Sequence, residues 1–171
     1  MEHGTRYFGK YRGVCMNNVD PMRRGRIQVT VPDVHGDVPA TWALPCVPVA
    51  GLQSGFFTVP TINAGVWVEF EQGDPDYPIW VGGFWGSGAE VPPLAQSVPP
   101  GVDGLTIATQ LQHAVVISDL PGPTGGIMLS STAGAKLIVN DTGIYIQNGQ
   151  GAAITLIGPT VSVNNGALTV T

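Results

Sequence analysis

Apolar and polar residues alternate with a period of two along much of this chain, which is the spacing of a β-strand that buries one face. The alternation is strict where Ile27, Val29 and Val31 share one side of the backbone and polar residues occupy the other. Similar patterns predict strands at residues 11–17 and 40–49. The chain is therefore predicted to be all-β.

A hairpin is predicted from the stretch WVEFEQGDPDYPIWVGGFW at residues 67–85. Asp74–Asp76 provides the turn, and Gly82–Gly83 is typical of a β-bulge. The core side of the hairpin is predicted to carry Val66, Val68, Phe70, Ile79 and Val81.

The segment between the third strand and this hairpin has no helical period, so we expect a loop over residues 51–64. Five short strands within residues 1–86 favour a small closed barrel of the OB type. A Gly- and Pro-rich linker follows at residues 87–104.

From residue 105 onward, short alternating segments are separated by Gly, Asn and Pro. Pairs of apolar residues recur at intervals of about seven to ten residues, and we expect them to form the core of this region: Leu137, Val139, Ile144, Ile146, Ile154, Leu156, Val161, Val163, Leu168 and Val170. This repeat is too short for a meander of hairpins with normal turns and predicts a solenoid in which each strand ends at a corner.

A single copy of residues 105–171 buries too little apolar surface to offset the entropy of ordering its backbone, about 1–2 kcal/mol per residue. The pattern therefore predicts a homotrimer, an intertwined triple-stranded β-helix in which strands pair with those of neighbouring chains and apolar faces meet on the axis. Each buried aliphatic side chain would contribute roughly 1.5–3 kcal/mol. Eight candidate strands, stacked about 4.8 Å apart, would form a prism roughly 40 Å long.

Composition and charge limit the classes of function that the chain can have. The chain has 171 residues, of which 43% are hydrophobic and only 11% charged, and a net charge of −5 gives no overall basic signature for nucleic acid. The first residues contain no apolar leader, so we expect cytoplasmic assembly without a signal peptide. Cys15 and Cys46 lie in apolar runs and are predicted to be reduced and buried.

Four segments carry a family resemblance: YFGKYRGV, DPMRRGRIQVTVPDV, WALPCVPVAG and GFFTVPTINAGVWVEFEQGDPDYPIWVGGFW. They resemble the N-terminal OB domain of phage baseplate assembly protein V and of valine–glycine repeat protein G, the central spikes of contractile tails and injection systems. The resemblance covers residues 7–86, and GVWVEFEQGDPDYPIW is its most specific part. It implies a structural, trimeric spike that is resident in a virion tail or injection-system baseplate and punctures a target envelope in transient contact with its membrane.

Two partners are expected. Arg12, Arg23, Arg24 and Arg26 belong to a basic cluster that either docks on an acidic baseplate hub protein or forms a merely solvated face. The chain's end at Leu168, Val170 and Thr171 is an apolar face, which we expect a conical tip protein of the proline–alanine–alanine–arginine (PAAR) repeat type to cover. Relatives with a metal at the apex have a terminal His-x-His motif, whereas the last histidine here is His113.

Two other function classes remain open at this stage. One is an OB-fold module that binds oligonucleotides or oligosaccharides and carries a trimerisation stem. We predict that the chain does not bind nucleic acid, because most of its aromatic residues have the spacing of core residues. The other is a cell-wall hydrolase component. Glu69 and Glu71 share a strand face and His35 lies in an acidic loop, but we predict no catalytic residues, metal or cofactor.

Overall fold

The computed structural model describes residues 5–171, apart from the side chains of Ala40 and Thr169. Residues 1–4, the start of the segment in which we found no apolar leader, lie outside this description. The chain divides into two compact units, one ending at Gly88 and the other covering Ala89–Thr171. The fold is all-β, as predicted.

The strands of the first unit are β1 (Tyr11–Asn17), β2 (Ile27–Thr30), β3 (Pro39–Pro45), β4 (Ala50–Gly51), β5 (Ser54–Gly55), β6 (Gly65–Phe70) and β7 (Pro78–Phe84). Those of the second unit are β8 (Gly104–Ala108), β9 (Ala114–Ser118), β10 (Gly126–Ser130), β11 (Lys136–Asn140), β12 (Gly143–Gln147), β13 (Ala153–Ile157), β14 (Thr160–Val163) and β15 (Leu168–Val170). The helices α1 (Pro32–His35) and α2 (Pro93–Gln96) are single turns.

Five strands of the first unit close into a barrel in the order β1-β2-β3-β7-β6. The barrel core consists of Cys15, Ile27, Val29, Val31, Ala43, Val66, Val68, Phe70 and Trp80. The alternation in β2 and β6 therefore correctly identified which faces are buried. The loop between β3 and β6 contains no helix, as predicted, and holds the small β4–β5 hairpin.

The prediction for β7 was wrong by one residue. Trp80 and Pro78 are buried, whereas Ile79 and Val81 are only half-buried. Trp80 lies opposite the core residue Val68, and a bulge at Val81 next to Gly82 shifts the register beyond that point. The turn at residues 71–77 pairs Phe70 with Pro78, so Pro78 and Trp80 face the core before the bulge is reached, and a spacing that starts at Ile79 assigns the wrong face.

Two further expectations need correction. Cys15 is buried as predicted, but Cys46 is exposed. Its strand ends at Pro45, so Cys46 lies just outside the barrel wall, although its backbone N–H still donates to the carbonyl of Trp80 at 2.9 Å. The predicted turn of the long hairpin begins earlier, with a 3-10 turn at Glu71–Gly73.

The second unit contains one eight-stranded antiparallel sheet in which every strand pairs with its neighbours in sequence, from β8 to β15. Each strand is three to five residues long. The helix α2 contacts β8, and the Gly104 backbone lies close to the side chain of Val98. Eight strands were predicted between residues 105 and 171, and eight are present.

Candidate trimer interface

One face of the second unit's sheet carries two continuous columns of aliphatic side chains. Each strand contributes one residue to each column, and the residues lie directly opposite each other in the ladder. The first column is Leu105, Ile117, Ile127, Val139, Ile144, Leu156, Val161 and Val170. The second is Ile107, Val115, Leu129, Leu137, Ile146, Ile154, Val163 and Leu168.

These columns are not covered by residues 5–171 of their own chain. Twelve of the sixteen side chains are exposed, from 36% for Ile144 to 59% for Leu168, and the other four are half-buried. A single-layer sheet with an uncovered apolar face lacks the second layer that stabilises a domain. The face therefore needs a partner surface of comparable length.

The side chains at the centre of the opposite face of the sheet become more polar along the chain. Its central positions are the buried Val116 and the half-buried Met128 and Ile138 in the earlier strands. They are followed by Tyr145, whose hydroxyl lies 2.7 Å from that of Thr142, and then by Thr155 and Ser162. The face towards the end of the chain is therefore polar at its centre, opposite the aliphatic columns.

Polar side chains fix the short turns between strands. The Oδ1 atom of Asn140 accepts hydrogen bonds from the backbone N–H groups of Thr142 at 2.9 Å and Gly143 at 3.2 Å. Asn148 does the same for Gln150 and Ala152. Asn side chains satisfy turn N–H groups in this way because they are short and polar. Gly143 also has a φ of +153°, and a Cβ there would lie 2.2 Å from the carbonyl oxygen of Leu156.

This pairing corrects our expectation about the ladder. We predicted that a meander would not fit the short repeat and that strands would pair with those of neighbouring chains. Instead, β8–β15 pair within one chain, because two-residue turns such as Asp141–Thr142 suffice to reverse the backbone. The unmet requirement of this sheet is therefore the burial of its apolar face.

All ten residues that the sequence suggested as the trimer core lie on the two aliphatic columns. Sequence reasoning missed the six column residues of the first three strands: Leu105, Ile107, Val115, Ile117, Ile127 and Leu129. The same period-two signal is present there, with intervals of about ten to twelve residues between the first members of successive pairs. Leu168 and Val170, the proposed tip residues, end the two columns.

The basic residues are placed differently from one another. Asp20 is buried and accepts hydrogen bonds from the Arg26 guanidinium, at 3.1 Å from Nε and 2.6 Å from a terminal nitrogen. It also accepts from the backbone N–H groups of Met22, Arg24 and Arg26. The guanidinium of Arg26, with the backbone donors, lowers the pKa of Asp20, and Asp20 in turn raises the pKa of Arg26. Arg26 therefore has a structural partner.

Arg23 and Arg24 are exposed on the loop that Asp20 organises. Arg12 lies elsewhere, on the outer face of β1, where its guanidinium carbon is 5.5 Å from the ring centroid of Trp67 and 5.2 Å from that of Phe84. The structure thus groups Arg23, Arg24 and Arg26 on one loop and separates Arg12 from them in the fold.

The candidates for chemistry are dispersed in residues 5–171. Glu69 accepts a hydrogen bond from Lys10 at 2.5 Å, and Nε2 of His35 lies 3.2 Å from the carbonyl oxygen of Pro75. No group of three or more His, Cys, Asp or Glu residues among those described is arranged to hold a metal ion.

Two family models match this chain. The model described as type VI secretion system/phage-baseplate injector OB domain matches residues 11–85, and the model described as phage baseplate V C-terminal trimerisation domain matches residues 104–169. The chain belongs to the phage baseplate spike protein family. No curated protein matches it.

Membership of this family bears on the uncovered sheet face, because one of the two matched domains is a trimerisation domain. The trimerisation domain covers β8–β14 and the first two residues of β15, so the baseplate spike protein is a homotrimer associated with a baseplate. The family is structural and implies residence in the tail or baseplate. No helix within residues 5–171 is both long enough and apolar enough to cross a membrane.

Proposed function

We propose that this protein is the central spike of a contractile tail or injection machine, and that it punctures the target envelope when the sheath contracts. The observation that carries the proposal is the pair of aliphatic columns, which run through all eight strands of the second unit's sheet without interruption. Three such faces meeting on a common axis form a triangular β-prism with a dry core. The ten residues predicted from sequence, together with the six found in the structure, form that core.

A prism of this kind suits axial load. Eight strands stacked about 4.8 Å apart give each face a length of roughly 40 Å, and five residues at about 3.3 Å each give it a width of roughly 17 Å. Short turns held by Asn140 and Asn148 leave few loops that protrude at the corners. The result is a narrow, stiff rod whose outer face becomes polar towards its end.

The two ends of the spike have separate tasks in this proposal. The barrel seats the spike on a baseplate hub protein, and the exposed Arg23 and Arg24 supply positive charge for an acidic hub surface. Arg26 supports the same surface indirectly by holding the loop through Asp20. Arg12, which lies apart from them over Trp67 and Phe84, supplies a second point of contact. At the other end, a PAAR-repeat tip protein contacts the exposed Leu168 and Val170 of β15, together with Thr171.

The test is a contraction assay with a shortened spike. Particles are assembled either with the full chain or with a chain that ends after Asn140 and so lacks β12–β15. We expect the shortened spike to enter baseplates, seen by electron microscopy, but to fail to permeabilise target cells, measured by dye entry. Baseplates with the shortened spike that permeabilise cells as well as the full spike does would refute the puncturing role.

A further inference from the structure

The acidic and basic side chains of residues 103–171 are sorted by sign onto the two edges of the second unit's sheet, where the strands end. Lys136 begins β11, and His113 immediately precedes β9 at the same edge, since the starts of β9 and β11 lie in register through β10. Asp119 follows β9 and Asp141 follows β11 at the other edge, where Asp103 precedes β8. Residues 103–171 contain no other Asp, Glu, Lys, Arg or His. One edge is therefore basic and the other is acidic.

Contacts within the chain do not account for this sorting. The ion pairs found among residues 5–171 do not involve Lys136 or Asp141, and the ammonium group of Lys136 has no hydrogen-bond partner among those residues. At the acidic edge, Oδ2 of Asp141 accepts a hydrogen bond from the backbone N–H of Gly122 at 3.0 Å, which orients the carboxylate. The length of β11, roughly 17 Å for five residues, separates Lys136 from Asp141. The two side chains therefore cannot pair within one chain.

Threefold symmetry brings the two edges together between chains. In the prism proposed above, each sheet forms one face, and its basic edge lies beside the acidic edge of the next sheet at a corner, because the rotation repeats one heterologous contact until the ring closes. The strands run across the faces, so both ends of a strand lie at the same height on the axis. Lys136 of one chain is therefore level with Asp141 of the next, and His113 is level with Asp119.

We propose that Lys136 of one chain forms an ion pair with Asp141 of the next at each corner of the prism, and that these pairs align the chains along the axis. The partner at this surface is a second copy of the chain. His113 and Asp119 make the equivalent contact at the height of β9 when the imidazole is protonated. The inference rests on the proposed prism, but not on its ability to puncture an envelope.

The charged edges supply an alignment that the aliphatic columns do not. Every column position holds Leu, Ile or Val, so sheets that slide past one another along the axis still meet apolar surface. A closed ring that slips by two strands at one corner must slip back at another, where Lys136 then faces residues 158–159, which carry no charge. Exposed ion pairs stabilise little, but opposite charges favour one arrangement and like charges disfavour others. The pairs therefore select the register of the three chains.

The test is a mixing experiment with the full chain. A swapped chain carries Lys136→Asp with Asp141→Lys, so its composition and net charge are unchanged and its own corners still pair opposite charges. A corner between a swapped and an unchanged chain instead joins two lysines or two aspartates. The matched control carries Lys136→Thr with Thr155→Lys, which moves the same charge to the centre of the face opposite the columns. Each is coexpressed with the unchanged chain, which carries a tag of different mass.

We expect native mass spectrometry to show that trimers mixed from swapped and unchanged chains fall about threefold or more below their random share, whereas the control chain mixes randomly. The sorting should fade in about 1 M salt, which screens surface charges. Random mixing of the swapped chain, sorting that persists in high salt, or a swapped chain that forms no trimer by itself would overturn the ion pair. A spike that sorts as expected but fails in the contraction assay would refute only the proposed function.

Discussion

Val139 lies directly opposite Ile144, across the two-residue turn Asp141–Thr142, and both side chains are on the same uncovered face of the sheet. The turn places the end of one strand and the start of the next in register without a connecting loop. The same relationship continues from strand to strand, so the face gains one aliphatic pair for every strand added. A short repeat is therefore enough to build a long apolar surface.

The trimer interface can be tested by charge on either side of one strand. Ile154 and Thr155 are neighbours in β13 and lie on opposite faces of the sheet. We expect Ile154→Asp to disrupt the trimer, because three carboxylates would be buried near the axis without partners. Light scattering should then report a single-chain mass or aggregation. Thr155→Asp is the control and should keep the mass of three chains; loss of the trimer in both variants would contradict the assignment of faces.

The Asp20 carboxylate should make the barrel sensitive to acid. Its pKa is lowered by the Arg26 guanidinium and by backbone N–H donors, so the unfolded chain, where an Asp has a pKa of about 3.9, binds the proton more tightly. The stabilisation is therefore present above about pH 4 and is lost as the pH falls further, towards the lowered pKa of the folded state. In Asp20→Asn, the melting temperature measured by circular dichroism should change less between pH 5 and pH 2 than in the unchanged protein. Identical pH profiles of the melting temperature would show that the Asp20 carboxylate does not contribute to the stability of the barrel.

The buried indole of Trp80 should contribute more to the free energy of unfolding than an indole on the barrel's outer face. Its Nε1–H donates to the carbonyl oxygen of Gly25 at 3.1 Å, so Trp80→Phe leaves that acceptor unpaired and a void beside it. We expect a loss of roughly 1–3 kcal/mol in the free energy of unfolding, measured with denaturant. Trp67→Phe is the control, since a phenyl ring there still faces Phe84 and Arg12; its cost should be below about 1 kcal/mol. Equal losses would argue against the role of the Gly25 hydrogen bond.

The basic loop should govern attachment to the hub. Arg23→Glu with Arg24→Glu reverses two exposed charges and leaves the Asp20–Arg26 pair in place. We expect this variant to remain trimeric but to be depleted from purified baseplates, with the remaining binding weakened further by salt. Thr155→Glu, which adds a charge to the second unit, should be incorporated normally. Normal incorporation of the double variant would remove these arginines from the docking surface.

The end of the spike offers a separate test. Leu168→Ser with Val170→Ser removes apolar surface from the last strand, and we expect the trimer to lose its binding to a PAAR-repeat protein in a pull-down while seven other strands keep it assembled. Ile157→Ser is the matched control, because Ile157 is half-exposed on the opposite face of the sheet. Retained binding by the double variant would place the tip contact elsewhere.

The sequence predicted the barrel well because most of its strands alternate without interruption. Ile27, Val29 and Val31 were assigned to the core from spacing alone, and all three are fully buried. The assignment failed at Trp80, where the turn before β7 decides which face points inward by pairing Phe70 with Pro78. The turn leaves no periodic signal, since its effect depends on how the chain is paired.

The second unit shows a different limit. Period-two spacing identified the residues of the apolar face in the last five strands, but it carried no information about which strand each one pairs with. Two-residue turns made pairing within the chain possible, and only the register of β8–β15 shows this.

Pairing within the chain has a mechanical consequence for the proposed prism. Because β8–β15 form one continuous ladder within the chain, an axial force on the proposed prism passes from strand to strand through the turns and hydrogen bonds of one polypeptide. The side-chain packing between subunits only has to hold the three subunits together laterally. A force applied at the tip of the proposed prism therefore acts mainly within each subunit and produces little shear between subunits.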